Sequence, residues 1–208
     1  MIKAVIFDYG GVIKEPHGLF VDIADLYRLP REYVSSKREE IKPVMNQFDK
    51  GLLNEEDFWE KTSEILGHPI PKDIVKTVRE AMRETYRKDF AFFPAMLEFN
   101  KELRGRGIKT AVLSNILIFQ AEVIREKEGY KDFDAVILSY EEGLRKPEDL
   151  DFYHLAPKRL GVKPNECIFI DDKEENLSSA QSIGIKTVLF KNSQQVIKEV
   201  FDIIESEK

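Results

Sequence analysis

Ala4-Val5-Ile6-Phe7-Asp8-Tyr9-Gly10-Gly11 sets an unbroken apolar run against an acid and a glycine pair. Such a run, with no polar residue alternating through it, reads as a strand buried on both faces. The glycines turn the chain at once into a tight loop, so Asp8 falls at the strand's carboxyl end. Strands covered on both faces belong to parallel sheets flanked by helices, and the rest of the chain carries the pattern that such a sheet requires.

That pattern resumes after Phe92-Phe93-Pro94. Strands are expected at 109–113, closing on Ser114-Asn115, at 135–138, at 167–170, closing on Asp171-Asp172, and at 186–190. Between them the spacing predicts helices over 94–104, 117–127 and 150–160, one running up to Gly184, and a terminal one over 194–204. This alternation with short glycine-marked turns predicts an α/β fold, a doubly wound, Rossmann-like parallel sheet. From 18 to 89 the texture differs. Apolar residues recur at helical spacing in three groups: Phe20, Ile23, Ala24 and Tyr27; Phe58, Trp59, Thr62, Ile65 and Leu66; and Ile74, Val78, Ala81, Met82 and Tyr86. Asn54 reads as an N-cap and Pro71 as a helix-opening proline, and the breaks at Pro30, Gly51 and Gly67-His68-Pro69 leave about four helices. The first strand belongs with those after Pro94, so an all-helical cap over 16–91 is expected as an insertion in a core made of 1–15 and 92–208.

Bulk properties exclude several classes of function. Hydrophobic residues at 42% and charged residues at 34% are a globular balance, too apolar for disorder. Lys and Arg total 32 against 38 for Asp and Glu, and a net charge of −6 makes a poor binder of nucleic-acid backbones. No membrane association is expected, since the longest uncharged stretch, 110–121, carries Ser114-Asn115 in its middle and a bilayer needs roughly 20 apolar residues. A lone cysteine, Cys167, and an opening apolar run too short for a signal peptide fit a cytoplasmic protein.

Asp8, Ser114, Lys146 and Asp171-Asp172 all lie at, or just after, the carboxyl ends of expected parallel strands, the edge where open α/β sheets bind ligands. Carboxylates, a lysine and a hydroxyl, brought together without a histidine base, suit phosphoryl transfer. An aspartate can attack phosphorus, Mg²⁺ held by other carboxylates can neutralise phosphate charge, and lysine and hydroxyl can hold the equatorial oxygens. A small phosphorylated metabolite is the substrate expected.

Four segments in this order, Phe7-Asp8-Tyr9-Gly10-Gly11-Val12, Leu113-Ser114-Asn115, Arg145-Lys146-Pro147-Glu148 and Ile170-Asp171-Asp172, resemble the motifs of the haloacid-dehalogenase-like hydrolases, and the helical insertion falls where that family places its small cap. The resemblance implies that Asp8 is the nucleophile and a Mg²⁺ ligand, with the Gly10 carbonyl and Asp172 as further ligands. It implies phosphate binding by Ser114 and the backbone of Asn115, a bridging role for Lys146, and supporting roles for Asp171 and Asn176. One departure is informative. Most phosphatases of this family carry a second acid two residues past the nucleophile, to protonate the leaving group, and here that position is Gly10. The subgroup with glycine there resembles sugar-1-phosphate phosphatases and the phosphatase-like domains of epoxide hydrolases. General acid catalysis is worth ~10²–10⁴ in rate, so poor leaving groups are expected to react slowly unless Glu15 or His17, on the following loop, replaces the acid. The competing readings are a 2-haloacid dehalogenase, against which the paired Asp171-Asp172 argue, and a non-catalytic phospho-ligand-binding protein, against which Asp8, Lys146 and Asp172 together argue.

Overall fold

The structure is a computed structural model that describes residues 1–16, 18–69, 75–88 and 90–207. Its strands are β1 (Ala4–Phe7), β2 (Lys109–Ser114), β3 (Ala135–Leu138), β4 (Cys167–Asp171) and β5 (Lys186–Leu189). They form one sheet of order β3-β2-β1-β4-β5, with every pair parallel. The apolar run that opens the chain lies at its centre, where Ile6 is flanked by Ala111 on one side and Phe169 on the other. All four β1 residues are 0% exposed, which only a sheet covered on both faces can produce.

Successive side chains of a strand point to opposite faces, and two apolar layers follow from that. Val5, Phe7, Val112, Ile168 and Ile170 pack beneath α6 (Pro94–Gly105) and α11 (Ser193–Ser206), where Phe99 and Val200 meet them. Ala4, Ile6, Ala111, Leu113 and Phe169 pack on the other side beneath α9 (Leu150–Leu160) and α10 (Glu174–Ser182), through Phe152, Ala156 and Ala180. The chain winds from β1 outward to β3, then returns to lay β4 against β1. Strand order therefore reverses between β1 and β4, the crevice in which such sheets hold ligands.

Between β1 and α6 the chain forms α1 (Leu19–Tyr27), α2 (Arg31–Ser36), α3 (Arg38–Asp49), α4 (Glu55–Ile65) and α5 (Val75–Lys88). Five helices thus stand among the described residues where about four were expected. The addition comes from 31–49, where a charged surface around Pro43 obscures a stripe as narrow as Ile41, Val44, Met45 and Phe48. Asn54 does cap α4, accepting from the Asp57 amide at 2.8 Å. Pro71 and Ile74 lie outside the described residues. These helices share an apolar cluster of their own, which includes Ile23, Val34, Phe48, Phe58, Trp59 and Met82. Leu117 and Phe119, at the start of α7 (Ile118–Glu126), complete that cluster from beyond β2.

Two crossings join the insertion to the sheet, and they pair with each other. Phe93 donates its amide to the Ile13 carbonyl at 2.9 Å, and Glu15 to Ala91 at 3.0 Å. Along α5, Arg79 meets Glu122 of α7 at 2.6 Å and Arg87 meets Glu126 at 2.7 Å, with Arg83 pairing to Glu126 between them. A short helix, α8 (Ser139–Glu142), follows β3 directly and is too brief for periodicity to reveal.

Candidate active site

Asp8 follows β1 directly, its amide bonded to the Ile170 carbonyl of β4 at 2.8 Å, so its place at the crevice is fixed by the sheet itself. Its Oδ1 accepts from the Tyr9 amide at 2.7 Å and lies 3.0 Å from the Lys146 ammonium. Oδ2 has no protein hydrogen bond among the described residues. Burial pushes the Asp8 carboxyl up to about 6; Lys146 pulls against that, while Asp171 and Asp172 add to it.

Lys146 is the hub. Its Nζ donates to Asp171 Oδ2 at 2.7 Å as well as facing Asp8, and both contacts are buried. Burial works against its charge, but Asp171 and Asp8 outweigh that and hold the ammonium above the ordinary lysine value. The loop bearing it is clamped by Asn115, whose side chain donates to the Lys146 carbonyl at 2.7 Å and accepts from its amide at 2.9 Å. The residue after β2 therefore fixes the backbone of the lysine across the site. Ser139, at the start of α8, holds the stretch after β2, its Oγ accepting from the Ile116 amide at 3.0 Å.

Asp171 closes β4 and is saturated. Oδ1 accepts from the Lys173 amide and from Asn176 Nδ2, each at 2.9 Å, and Oδ2 accepts from Lys146 and from the same Asn176 nitrogen. All its accepting capacity is spent on holding other groups. Asp172 is exposed at the edge, its carboxyl raised by partial burial and by Asp171.

A cavity of about 330 Å³ opens above the crevice, lined by Asp8, Gly10, Glu15, Ser114, Asn115, Lys146, Asp172 and Asn176 from the expected set. Asp171 stands behind Lys146, and His17 lies outside the described residues. The lining also holds Lys14 and Gln120, which the sequence did not single out, and Tyr86, which it marked only as part of a helix's apolar stripe. The two glycines turn out to differ. A Cβ on Gly10 would meet nothing within 4 Å, so the missing acid is not imposed by space. Gly11 has φ +84°, and a Cβ there would come within 2.6 Å of Asp172 Oδ2. That second glycine is what lets the Asp172 carboxylate approach the loop.

Carboxylate oxygens of Asp8, Asp171 and Asp172 lie within 4.8 Å of one another, with Lys146 in contact with the first two. Three acids around one ammonium leave a surplus of negative charge, and Asp8 Oδ2 and Asp172 remain to face it. That donor set fits a small hard cation, which takes few carboxylates and completes its shell with water and phosphate oxygens.

A family model described as haloacid dehalogenase-like hydrolase matches residues 2–184. The chain belongs to that family. It is 31% identical to the sesquiterpene phosphatase astK of Aspergillus oryzae, over 88% of this chain and 87% of that protein. It is 29% identical to a glyceraldehyde 3-phosphate phosphatase of Methanocaldococcus jannaschii, over 90% of this chain and 84% of that one. An enzyme of the same family from Bacteroides thetaiotaomicron, solved as a magnesium complex, superposes with a TM-score of 0.70 at 22% identity, over 91% of this chain and 93% of the other. That last likeness is one of fold. No helix among the described residues is long and apolar enough to cross a membrane.

Proposed function

We propose that the chain is a Mg²⁺-dependent phosphatase of a small phosphorylated metabolite, working through a phosphoryl-aspartate on Asp8. The observation that carries this reading is the Lys146 ammonium set between Asp8 and Asp171, which orients one nucleophile oxygen and leaves the other for chemistry. A carboxylate so placed can attack phosphorus, displace the alcohol, and be regenerated when water opens the mixed anhydride. Lys146 then faces both Asp8 and a transferring phosphoryl oxygen. The Ser114 hydroxyl and the Asn115 amide are suited to the remaining equatorial oxygens, and Asn115 carries its contact to the lysine loop through the same residue.

Asp8, the Gly10 carbonyl and Asp172 are the groups that would hold Mg²⁺, whose part when bound is to neutralise phosphate charge. Asp171 and Asn176 position Lys146 instead. A 2-haloacid dehalogenase would share Asp8, but it leaves the surplus charge around Asp172 without a use. The helical insertion over 16–91 is assigned as a cap that contributes Tyr86 to the cavity and selects the substrate.

The test is phosphate release from a panel of phosphorylated metabolites, with and without Mg²⁺, on wild type and Asp8→Asn. The amide preserves shape, so circular dichroism should be unchanged while turnover is lost. Turnover near wild type in the variant would remove Asp8 from the mechanism.

A further inference from the structure

Gly10 supplies no proton, and the residue that pairs with it does not come from either of the sequence candidates. Lys14 forms a β-bridge with Gly10, and its carbonyl accepts from the Gly11 amide at 2.7 Å. Its side chain is 1% exposed and lines the cavity. Nζ donates to the Glu15 carbonyl at 2.8 Å and stands 4.7 Å from the centroid of Tyr86 and 5.6 Å from that of Phe90. A carbonyl acceptor and aromatic faces both favour the charged form. Among the described residues lining the cavity, Lys14 and Lys146 are the buried cations, and they stand in different company: Lys146 lies between Asp8 and Asp171, Lys14 against the insertion helix that carries Tyr86.

In-line displacement places the leaving oxygen opposite the attacking one. Attack from Asp8, at the sheet edge, therefore sends the leaving group outward from the sheet, and of the cavity's lining residues Lys14 lies on the linker and Tyr86 on α5 rather than on the sheet.

We propose that Lys14 is a further catalytic residue, the group that receives the leaving oxygen on the side where Gly10 offers no acid. The inference rests on the phosphoryl-transfer reading above. As the bond from phosphorus to the leaving oxygen breaks, its electron pair passes to that oxygen and one Nζ proton follows. The alcohol departs neutral and Lys14 is left as an amine. Water then attacks the phosphorus of the phosphoryl-aspartate, and the bond to Asp8 breaks with its pair returning to the carboxylate. One proton of that water goes to the Lys14 amine and the other leaves with phosphate, so both residues end as they began. An alkoxide is far more basic than an amine, so the first transfer runs downhill, and the gain is largest for the worst leaving groups.

The experiment is a matched series of aryl and alkyl phosphate esters, with kcat/KM measured on wild type and Lys14→Met. Methionine keeps the length and apolar stem without the charge. If Lys14 serves the leaving group, the loss should grow with leaving-group basicity, reaching ~10²-fold or more for primary alkyl esters and falling well short of that for aryl ones. This dependence is a ratio within one preparation, so partial unfolding cannot imitate it. An equal loss across the series would overturn the proposal, reducing Lys14 to a structural residue. Should the variant not fold, the wild-type series decides: a dependence as steep as that of the uncatalysed esters overturns it, and a markedly shallower one supports it. An absence of phosphate release from every ester would overturn this proposal and the phosphatase reading together.

Discussion

Alanine placed at Gly11 and at Gly10, in turn, should separate two neighbouring glycines that look alike in the sequence. Gly11 holds φ +84°, a region in which an L residue is disfavoured by about 1–2 kcal/mol. Alanine also stiffens the unfolded chain, which returns about 0.4–1 kcal/mol, so the backbone alone leaves a net loss on the order of 1 kcal/mol. The new methyl would in addition stand 2.6 Å from Asp172 Oδ2, far inside contact distance. Asp172 is exposed and can swing away, which relieves the clash but takes the carboxylate off the loop. Gly11→Ala should therefore lower Tm by about 2–4 °C, the shift that ~1 kcal/mol produces in a domain of this size, and should raise the Mg²⁺ concentration needed for half-maximal activity. Gly10→Ala meets open space and no positive φ, so it should melt close to wild type. Thermal unfolding with a Mg²⁺ titration of phosphate release measures both. Equal destabilisation by the two alanines, or a Gly11→Ala enzyme that titrates like wild type, would refute the reasoning.

Three further outcomes can be checked. Chelation should stop hydrolysis and Mg²⁺ should restore it, with Asp172→Ala requiring far more metal for that rescue; activity that persists in chelator, or chloride released from chloroacetate, would favour the dehalogenase chemistry. Burial pushes the Asp49 carboxyl up to about 7, against the pull of Arg145 and Lys173 and with Glu148 adding to the rise. The folded state therefore holds this proton more tightly than the unfolded chain does, and stability should fall as pH rises from about 4 to about 7. Asp49→Asn should flatten that decline, gaining on the order of 2 kcal/mol on wild type between pH 5 and pH 8, and parallel melting curves across that range would contradict it. If the insertion closes over bound phosphate, a phosphate analogue should slow hydrogen exchange at both crossings, 13–18 and 89–94. Protection confined to the loops at the sheet edge would mean the insertion does not move.

The sheet was legible because β1, β3 and β4 are apolar runs stopped by a polar residue, the pattern that burial in a parallel sheet demands, and because the edge strand β5 follows a glycine-ended helix. Ser114 and Asp171 fell at strand ends for the same reason, and that shared sheet edge led to the expectation that they meet at one pocket, where Ser114 lines the cavity and Asp171 stands behind Lys146. What stayed hidden depends on where side chains point. The resemblance implied a phosphate contact for the Asn115 backbone, yet nothing in Leu113-Ser114-Asn115 says that its amide side chain would clasp the backbone of a residue 31 positions away. Lys14 sits between Ile13 and Glu15 and reads as an ordinary loop lysine; only the bridge to Gly10 and the rings of Tyr86 and Phe90 reveal it as buried. Gly11 was indistinguishable from Gly10 because φ is not written in residue type. The division of the stretch between Pro30 and Gly51 into two helices at Lys37 escaped because no glycine or proline marks it and a charged face dilutes the apolar spacing.

Leu117 and Phe119 belong by sequence to the strand-and-helix half of the chain, but by packing they belong to the helical insertion. The insertion is therefore not a detachable module. Excising it would strip the cover from two large buried apolar side chains, and transplanting it to another sheet of this family would leave its own interior missing a wall. Any exchange of substrate range by swapping this segment has to carry the first turn of α7 with it, together with Glu122 and Glu126, to which the arginines of α5 are paired. The same short stretch runs back through Ile116 and Asn115 to Ser114, so the packing of the insertion and the lining of the cavity are inherited as one block.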